Sequence, residues 1–215
     1  MNTLRQYSPL DQLVMGFDDL LRVANSSETP KIRPNPASSV NSDALTVSMR
    51  RQSACLMRVN HSGEVSAQAL YKGQAITANN PRVQIIMQDS ATEEIDHLYW
   101  CQQRLDDLES HTSYLNPLWY AGSFTLGAMA GYMGDEWSLG FVAETENQVV
   151  QHIDEHLERL PELDVKSRAI LEQMKLDEGK HATMAIDSGA RQLPEIVKNL
   201  MSLCSKIMTR TAYWI

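Results

Sequence analysis

Four glutamates and two histidines constrain this 215-residue chain more than any other feature. Glu64 stands alone, Glu94 and His97 form a Glu-x-x-His, Glu146 stands alone, and Glu178 and His181 form a second Glu-x-x-His. The spacing repeats, with 30 residues from Glu64 to Glu94 (94 − 64) and 32 from Glu146 to Glu178 (178 − 146). Positions three and four apart on a helix share a face. The face through Glu178 reads Leu171, Met174, Glu178, His181, Ala185. That through Glu94 reads Met87, Ser90, Glu94, His97, Cys101, and that through Glu146 reads Leu139, Val142, Glu146, Val149, Ile153. These acids therefore sit on apolar stripes, while Glu144 falls on another face of its helix. The face through Glu64, with Met57, Asn60, Ala67 and Tyr71, is less apolar.

A carboxylate buried in a bundle costs several kcal/mol unless it is paired or binds a metal. Four together would repel one another, whereas two divalent cations would compensate them and leave both imidazoles neutral. Two helical hairpins, each offering a Glu and a Glu-x-x-His, match the template of a carboxylate-bridged dinuclear site. Oxygen donors with one nitrogen per metal suit iron or manganese better than structural zinc. Asp106, Asp107, Glu155 and Glu158 fit solvated surface instead. His152 and His156 fall off the Glu146 stripe and read as part of a solvated charged face. His61 is either a support for a ligand or a packed or surface histidine. Cys101, one turn beyond His97, reads as core filler.

Composition selects an all-α fold with a single core: strand signals are scarce, and Gly and Pro fall mostly between periodic segments. The net charge of −8, without a basic block, excludes nucleic acid as a partner. Three scattered cysteines with no Cys-x-x-Cys spacing suit a reducing cytoplasm, and the first ten residues show no secretory signal.

Two parts are expected along the chain. Residues 1–45 hold an amphipathic helix over 9–25 and a Pro/Ser-rich strap that carries no chemistry, and residues 46–215 form the bundle. Its ligand helices are expected over 42–77, 81–108, 135–160 and 165–188, with Pro81 opening the second and Gly189 stopping the fourth. Gly63, in Asn60-His61-Ser62-Gly63, suggests close backbone approach or a helix bulge. After Pro194 an amphipathic helix either closes the bundle or lies on a membrane.

Residues 113–134 carry no charged side chain. Sixteen helical residues, 118–133, span about 24 Å, short of a bilayer core of about 30 Å. Crossing would also put Glu94 and Glu146 on opposite sides of the membrane. A helix dipping into one leaflet fits, with Trp119, Tyr120, Tyr132 and Trp137 suited to the interface. The alternative is a buried crossover helix packed closely through Gly127-x-x-x-Gly131.

The set Asn60-His61-Ser62-Gly63-Glu64, Glu94-Ile95-Asp96-His97, the hydrophobic insert, Val142-Ala143-Glu144-Thr145-Glu146 and Asp177-Glu178-Gly179-Lys180-His181 resembles the demethoxyubiquinone hydroxylases of ubiquinone biosynthesis. The resemblance covers roughly residues 51–190. It implies a ferritin-like four-helix bundle holding two iron ions: Glu64, Glu94 and His97 on one, Glu146, Glu178 and His181 on the other, with Glu94 and Glu178 bridging. It implies no separate acid or base. The implied reaction uses molecular oxygen to hydroxylate the ring of a polyprenylated benzoquinol whose tail stays in the bilayer. The chain is then expected as a peripheral protein on the cytoplasmic face of the cell membrane, touching one leaflet, with Phe124, Leu126 and Met129 lining the way from lipid to iron. A homo-oligomer or a ubiquinone-biosynthesis complex stays open. The competing readings are a ferroxidase or iron-storage protein, a non-catalytic membrane-associated scaffold, and a diiron oxygenase acting on acyl chains.

Overall fold

The computed structural model describes residues 33–41 and 44–215, and the helix expected over 9–25 lies outside them. A short 3-10 turn, Pro36–Ser39, precedes six helices: α1 Val47–Thr77, α2 Pro81–Asp107, α3 Asn116–Tyr132, α4 Asp135–Arg159, α5 Val165–Asp187 and α6 Glu195–Ala212. No strand occurs among the described residues.

Local chemistry sets the ends. Thr46 caps α1 through the Met49 N–H, and Asn80 caps α2 through the Arg82 N–H with Pro81 in the first turn. Asp164 caps α5 through the Ser167 N–H. The same carboxylate receives Arg104 Nη2 at 2.7 Å, and Arg104 Nε donates to Ser167 Oγ at 2.8 Å. This buried clasp pins the start of α5 to the end of α2 and so fixes where Glu178 falls opposite Glu94.

Helices α1, α2, α4 and α5 form a bundle whose core is split. One apolar cluster gathers Leu56, Met57, Trp100, Leu105, Ile153, Ile170 and Met174. Another gathers Tyr71, Val83, Met87, Leu139, Val142 and Ala185. On each helix the candidate ligands lie between residues of the two clusters, as Glu64 does between Met57 and Tyr71. The polar layer is thus walled above and below by side chains whose burial stabilises the fold by about 1.5–3 kcal/mol each.

The uncharged insert, α3, lies along α1. Gly73 faces the backbone of Phe124 and Ala128, Gly127 faces the carbonyl of Leu70, and Gly131 faces Thr77, with no room for a Cβ at any of the three. The close packing expected of Gly127 and Gly131 is therefore present, and it occupies only the inner face. Leu118, Met129, Tyr132 and Met133 are exposed on the outer one, Tyr132 at 85%. Tyr120, expected at an interface, is instead buried with Val65, Ala69 and Leu98.

Gly63 departs from expectation. The helix runs unbroken through it, and a Cβ there would meet nothing within 4 Å. The close approach on this helix belongs to Gly73, ten residues beyond Gly63 (73 − 63), and packing along the rest of a 31-residue helix carries the local cost of Gly63.

Candidate metal centre

Glu64 comes from α1, Glu94 and His97 from α2, Glu146 from α4, and Glu178 and His181 from α5, and all six are buried. Donor atoms of Glu64, Glu94, His97 and Glu178 lie within 4.8 Å of one another, and those of Glu146, Glu178 and His181 form a second such group. Glu178 belongs to both. His97 turns Nδ1 toward Glu94 Oε2 at 3.0 Å, Glu178 Oε1 at 3.1 Å and Glu64 Oε2 at 3.3 Å. His181 turns Nδ1 toward Glu178 Oε2 at 3.2 Å and Glu94 Oε1 at 3.4 Å. Glu94 and Glu178 thus each lie within 3.4 Å of both imidazoles.

The electrostatics indicate a surplus of buried anion. Burial, reinforced by Glu94, pushes the Glu64 carboxyl well above the usual range. Burial followed by Glu178 and Glu94 does the same to Glu146. Burial opposes charge on the imidazoles too, yet the carboxylates outweigh it: His97 is held well above its ordinary value, and His181 is pushed up to about 12. Glu94, where burial acts upward, is nonetheless held low by the two histidines. Oε2 of Glu64, Oε1 of Glu94 and Oε2 of Glu146 are buried and receive no hydrogen bond. Buried carboxylate oxygens short of hydrogen bonds, converging on one place from three helices beside two imidazoles, fit a metal through hard oxygen and imidazole nitrogen donors.

Other residues brace the ligands. Tyr71 donates its hydroxyl to Oε1 of Glu146. Asp177 Oδ2 lies 3.2 Å from His97 Nε2, and Glu93 Oε2 lies 2.8 Å from His181 Nε2, the outward nitrogen in each case. The sequence contained a signal for two of these: Tyr71 lies seven residues beyond Glu64 on the same helical face, and Asp177 directly precedes Glu178. It contained none for Arg33. Arg33 of the strap donates to Asp96 and Asp177 behind His97, two acids brought together only when α2 and α5 pack.

The remaining residues divide. Asp106, Asp107, Glu155 and Glu158 are exposed as expected. His156 is not: it is 1% exposed, on the flank of α4 that packs against α1, where Asn60 Nδ2 donates to its Nδ1 at 2.9 Å. His152 is half-buried, its ring centroid 3.9 Å from that of His156. His61 is buried against Asn116 of α3, with Nδ1 and the Asn116 Nδ2 3.3 Å apart. Cys101 is core, with Sγ 3.7 Å from Met174 Sδ. Of the residues expected to line a path to the centre, Phe124 packs against the small cluster around Tyr120. Leu126 and Met129 point outward into solvent, because the glycines of α3 take the inner face.

Four helices presenting four carboxylates and two imidazoles to one buried place define a ferritin-like bundle able to hold metal. The profile of the family described as "Ubiquinone biosynthesis protein COQ7" matches residues 51–212, and the chain belongs to that family. It is similar to the 3-demethoxyubiquinol 3-hydroxylase of Nitrosococcus oceani, 56% identical over 98% of this chain and 99% of the relative. It is also similar to the proteins of the same name from Nitrosomonas europaea, 52% identical over 96% and 99%, and Xanthomonas oryzae pv. oryzae, 52% identical over 97% and 96%.

Proposed function

We propose that this chain is a diiron monooxygenase that uses molecular oxygen to hydroxylate the ring of a polyprenylated demethoxyubiquinol, a step of ubiquinone biosynthesis. The observation that carries this reading is the pair of donor groups joined through Glu178 in a chain belonging to this family. Two irons, when bound, would supply the redox chemistry that activates oxygen. Glu64, Glu94 and His97 would hold one and Glu146, Glu178 and His181 the other, with Glu178 belonging to both donor groups. The chain's own contribution is orientation and dryness. Tyr71 holds Glu146, Asp177 and Glu93 fix the two imidazoles, and the apolar clusters on either side keep bulk water from the layer.

A quinol with a long isoprenoid tail stays in lipid, and the same reading places the protein peripherally on the cytoplasmic face of the cell membrane. No described helix is long and apolar enough to cross a bilayer. Support for surface contact comes from α6, where Ile196, Leu200, Leu203 and Ile207 share one helical face and are all exposed, from exposed Trp214 just beyond its end, and from the outer face of α3.

The test is anaerobic loading with Fe(II), metal counting, and then addition of demethoxyubiquinol and oxygen. Two irons per chain and a ring-hydroxylated product are expected, with both lost in Glu178→Ala. Irons that oxidise without product would make the chain a ferroxidase, and absence of metal uptake would remove the reading of the site.

A further inference from the structure

Arg33 lies 31 residues before Glu64 (64 − 33), outside the span matched by the family profile. Its Nη1 donates to Asp177 Oδ2 at 2.7 Å, and its Nε and backbone N donate to Asp96 Oδ2 at 3.0 and 3.1 Å. Its guanidinium carbon sits 4.9 Å from the centre of the Trp100 ring, and Nη2 lies 3.3 Å from His97 Nε2. The guanidinium therefore lies behind His97, on the Nε2 side of the ring and away from the glutamates that face Nδ1. The turn that follows is docked as well: Ala37 is buried in the core cluster and Asn35 Nδ2 donates to Gln103 Oε1 at 2.9 Å.

A metal on Nδ1 of His97 leaves the ring proton on Nε2, which then needs an acceptor. Asp177 Oδ2 is that acceptor, and the same oxygen is the one Arg33 holds. Its partner oxygen, Oδ1, is fixed by Lys180 at 3.0 Å and Gln173 at 3.1 Å, so the carboxylate is clamped from both ends. A planar fork that reaches Asp96, Asp177 and the Trp100 face together is beyond a lysine.

We propose that Arg33 is a positioning residue for the metal centre, acting through Asp177 on His97, and that docking of the 33–40 strap and occupancy of the centre are thereby linked. Linkage is reciprocal: a strap that favours metal is itself held by metal. The inference rests on the dinuclear reading above and adds to it a residue from outside the ligand helices.

The experiment measures Fe(II) affinity by anaerobic competition with a chromophoric chelator for the wild type, Arg33→Gln, Arg33→Lys and Gln103→Ala. It also measures amide hydrogen exchange of residues 35–40 in the wild type with and without Fe(II). Arg33→Gln and Arg33→Lys should each weaken iron binding by about tenfold or more, the usual cost of removing support behind a ligand. Gln103→Ala, which removes one strap contact but leaves the guanidinium of Arg33 on Asp177, should weaken iron binding by less than Arg33→Gln does. Strap amides should exchange several-fold more slowly with iron bound. Wild-type affinity in Arg33→Gln, or strap exchange indifferent to iron, overturns the inference while leaving the metal reading intact. A wild-type chain that takes up no iron overturns both. If Arg33→Gln does not fold, the lysine variant and wild-type exchange decide.

Discussion

The hydroxyl of Tyr71 on α1 donates to Oε1 of Glu146 on α4, while the other oxygen of that carboxylate receives no hydrogen bond. The phenol thus supplies a hydrogen bond to an acid that is 1% exposed. Tyr71→Phe keeps the packing and removes the donor. An unsatisfied buried acceptor costs about 1–3 kcal/mol, so denaturant unfolding should show a loss of that size, and metal affinity should fall with it. Unchanged stability would mean that Glu146 finds another partner.

Two glycines in helices should respond to alanine with opposite signs. Alanine is favoured in a helix interior by about 0.5–1 kcal/mol, and Gly63 has open space for a Cβ, so Gly63→Ala should raise the melting temperature. Gly127 faces the Leu70 carbonyl across a close contact, and Gly127→Ala should destabilise by about 1–3 kcal/mol as α3 is forced off α1. Equal shifts in the two variants would refute the packing of α3.

Acid should weaken the fold through histidines that take no part in the centre. Burial, then nearby His152, pushes His156 down to about 2, and burial pushes His61 down to about 4. Both titrate near 6.5 when unfolded. Between about pH 6.5 and 4 the unfolded chain binds protons that the folded chain refuses, so stability is full above that window and falls as pH falls. Each histidine contributes up to about 1.4 kcal/mol per pH unit. His156→Gln retains an acceptor for Asn60, and its urea midpoint should drop less than that of the wild type between about pH 7.5 and 5. Parallel curves would show that His156 is not held neutral.

Leu200, 60% exposed on the apolar face of α6, offers a clean test of membrane contact. Burying such a side chain is worth about 1.5–3 kcal/mol, so Leu200→Asp should weaken binding to phospholipid vesicles about tenfold or more while leaving metal content intact. Wild-type partitioning would direct attention to α3.

Much of this architecture was legible because it is written in local periodicity. Pro81, Pro161 and Gly189 bound the helices within a residue or two, and the apolar stripes picked Glu146 over Glu144, which lies partly exposed and bonds Gln148 on its own helix. What stayed hidden depends on pairing between helices. His156 looks like one of a run of charged residues until α1 supplies Asn60, and Arg33 looks like part of a polar strap until α2 and α5 bring Asp96 beside Asp177. The outer face of α3 was misassigned at Leu126 and Met129 because a helix of low polarity has no amphipathic contrast to orient it. Gly127-x-x-x-Gly131 marked a close-packing face, but which neighbour it meets shows only when the backbone of α1 is in place.

The shared position of Glu178 has a consequence for how the chain matures. Each half of the sequence carries a full set of one Glu and one Glu-x-x-His, yet His97 reaches forward to Glu178 and His181 reaches back to Glu94. Neither hairpin can close a centre alone, so the apparent duplication is not two independent sites joined end to end. The donors span 117 residues (181 − 64), and the last of them leaves the ribosome only after three of the four bundle helices. A metal held by this donor set would therefore be taken up late in the life of the nascent chain, and a chain truncated before α5 would lack Glu178 and His181 to hold it.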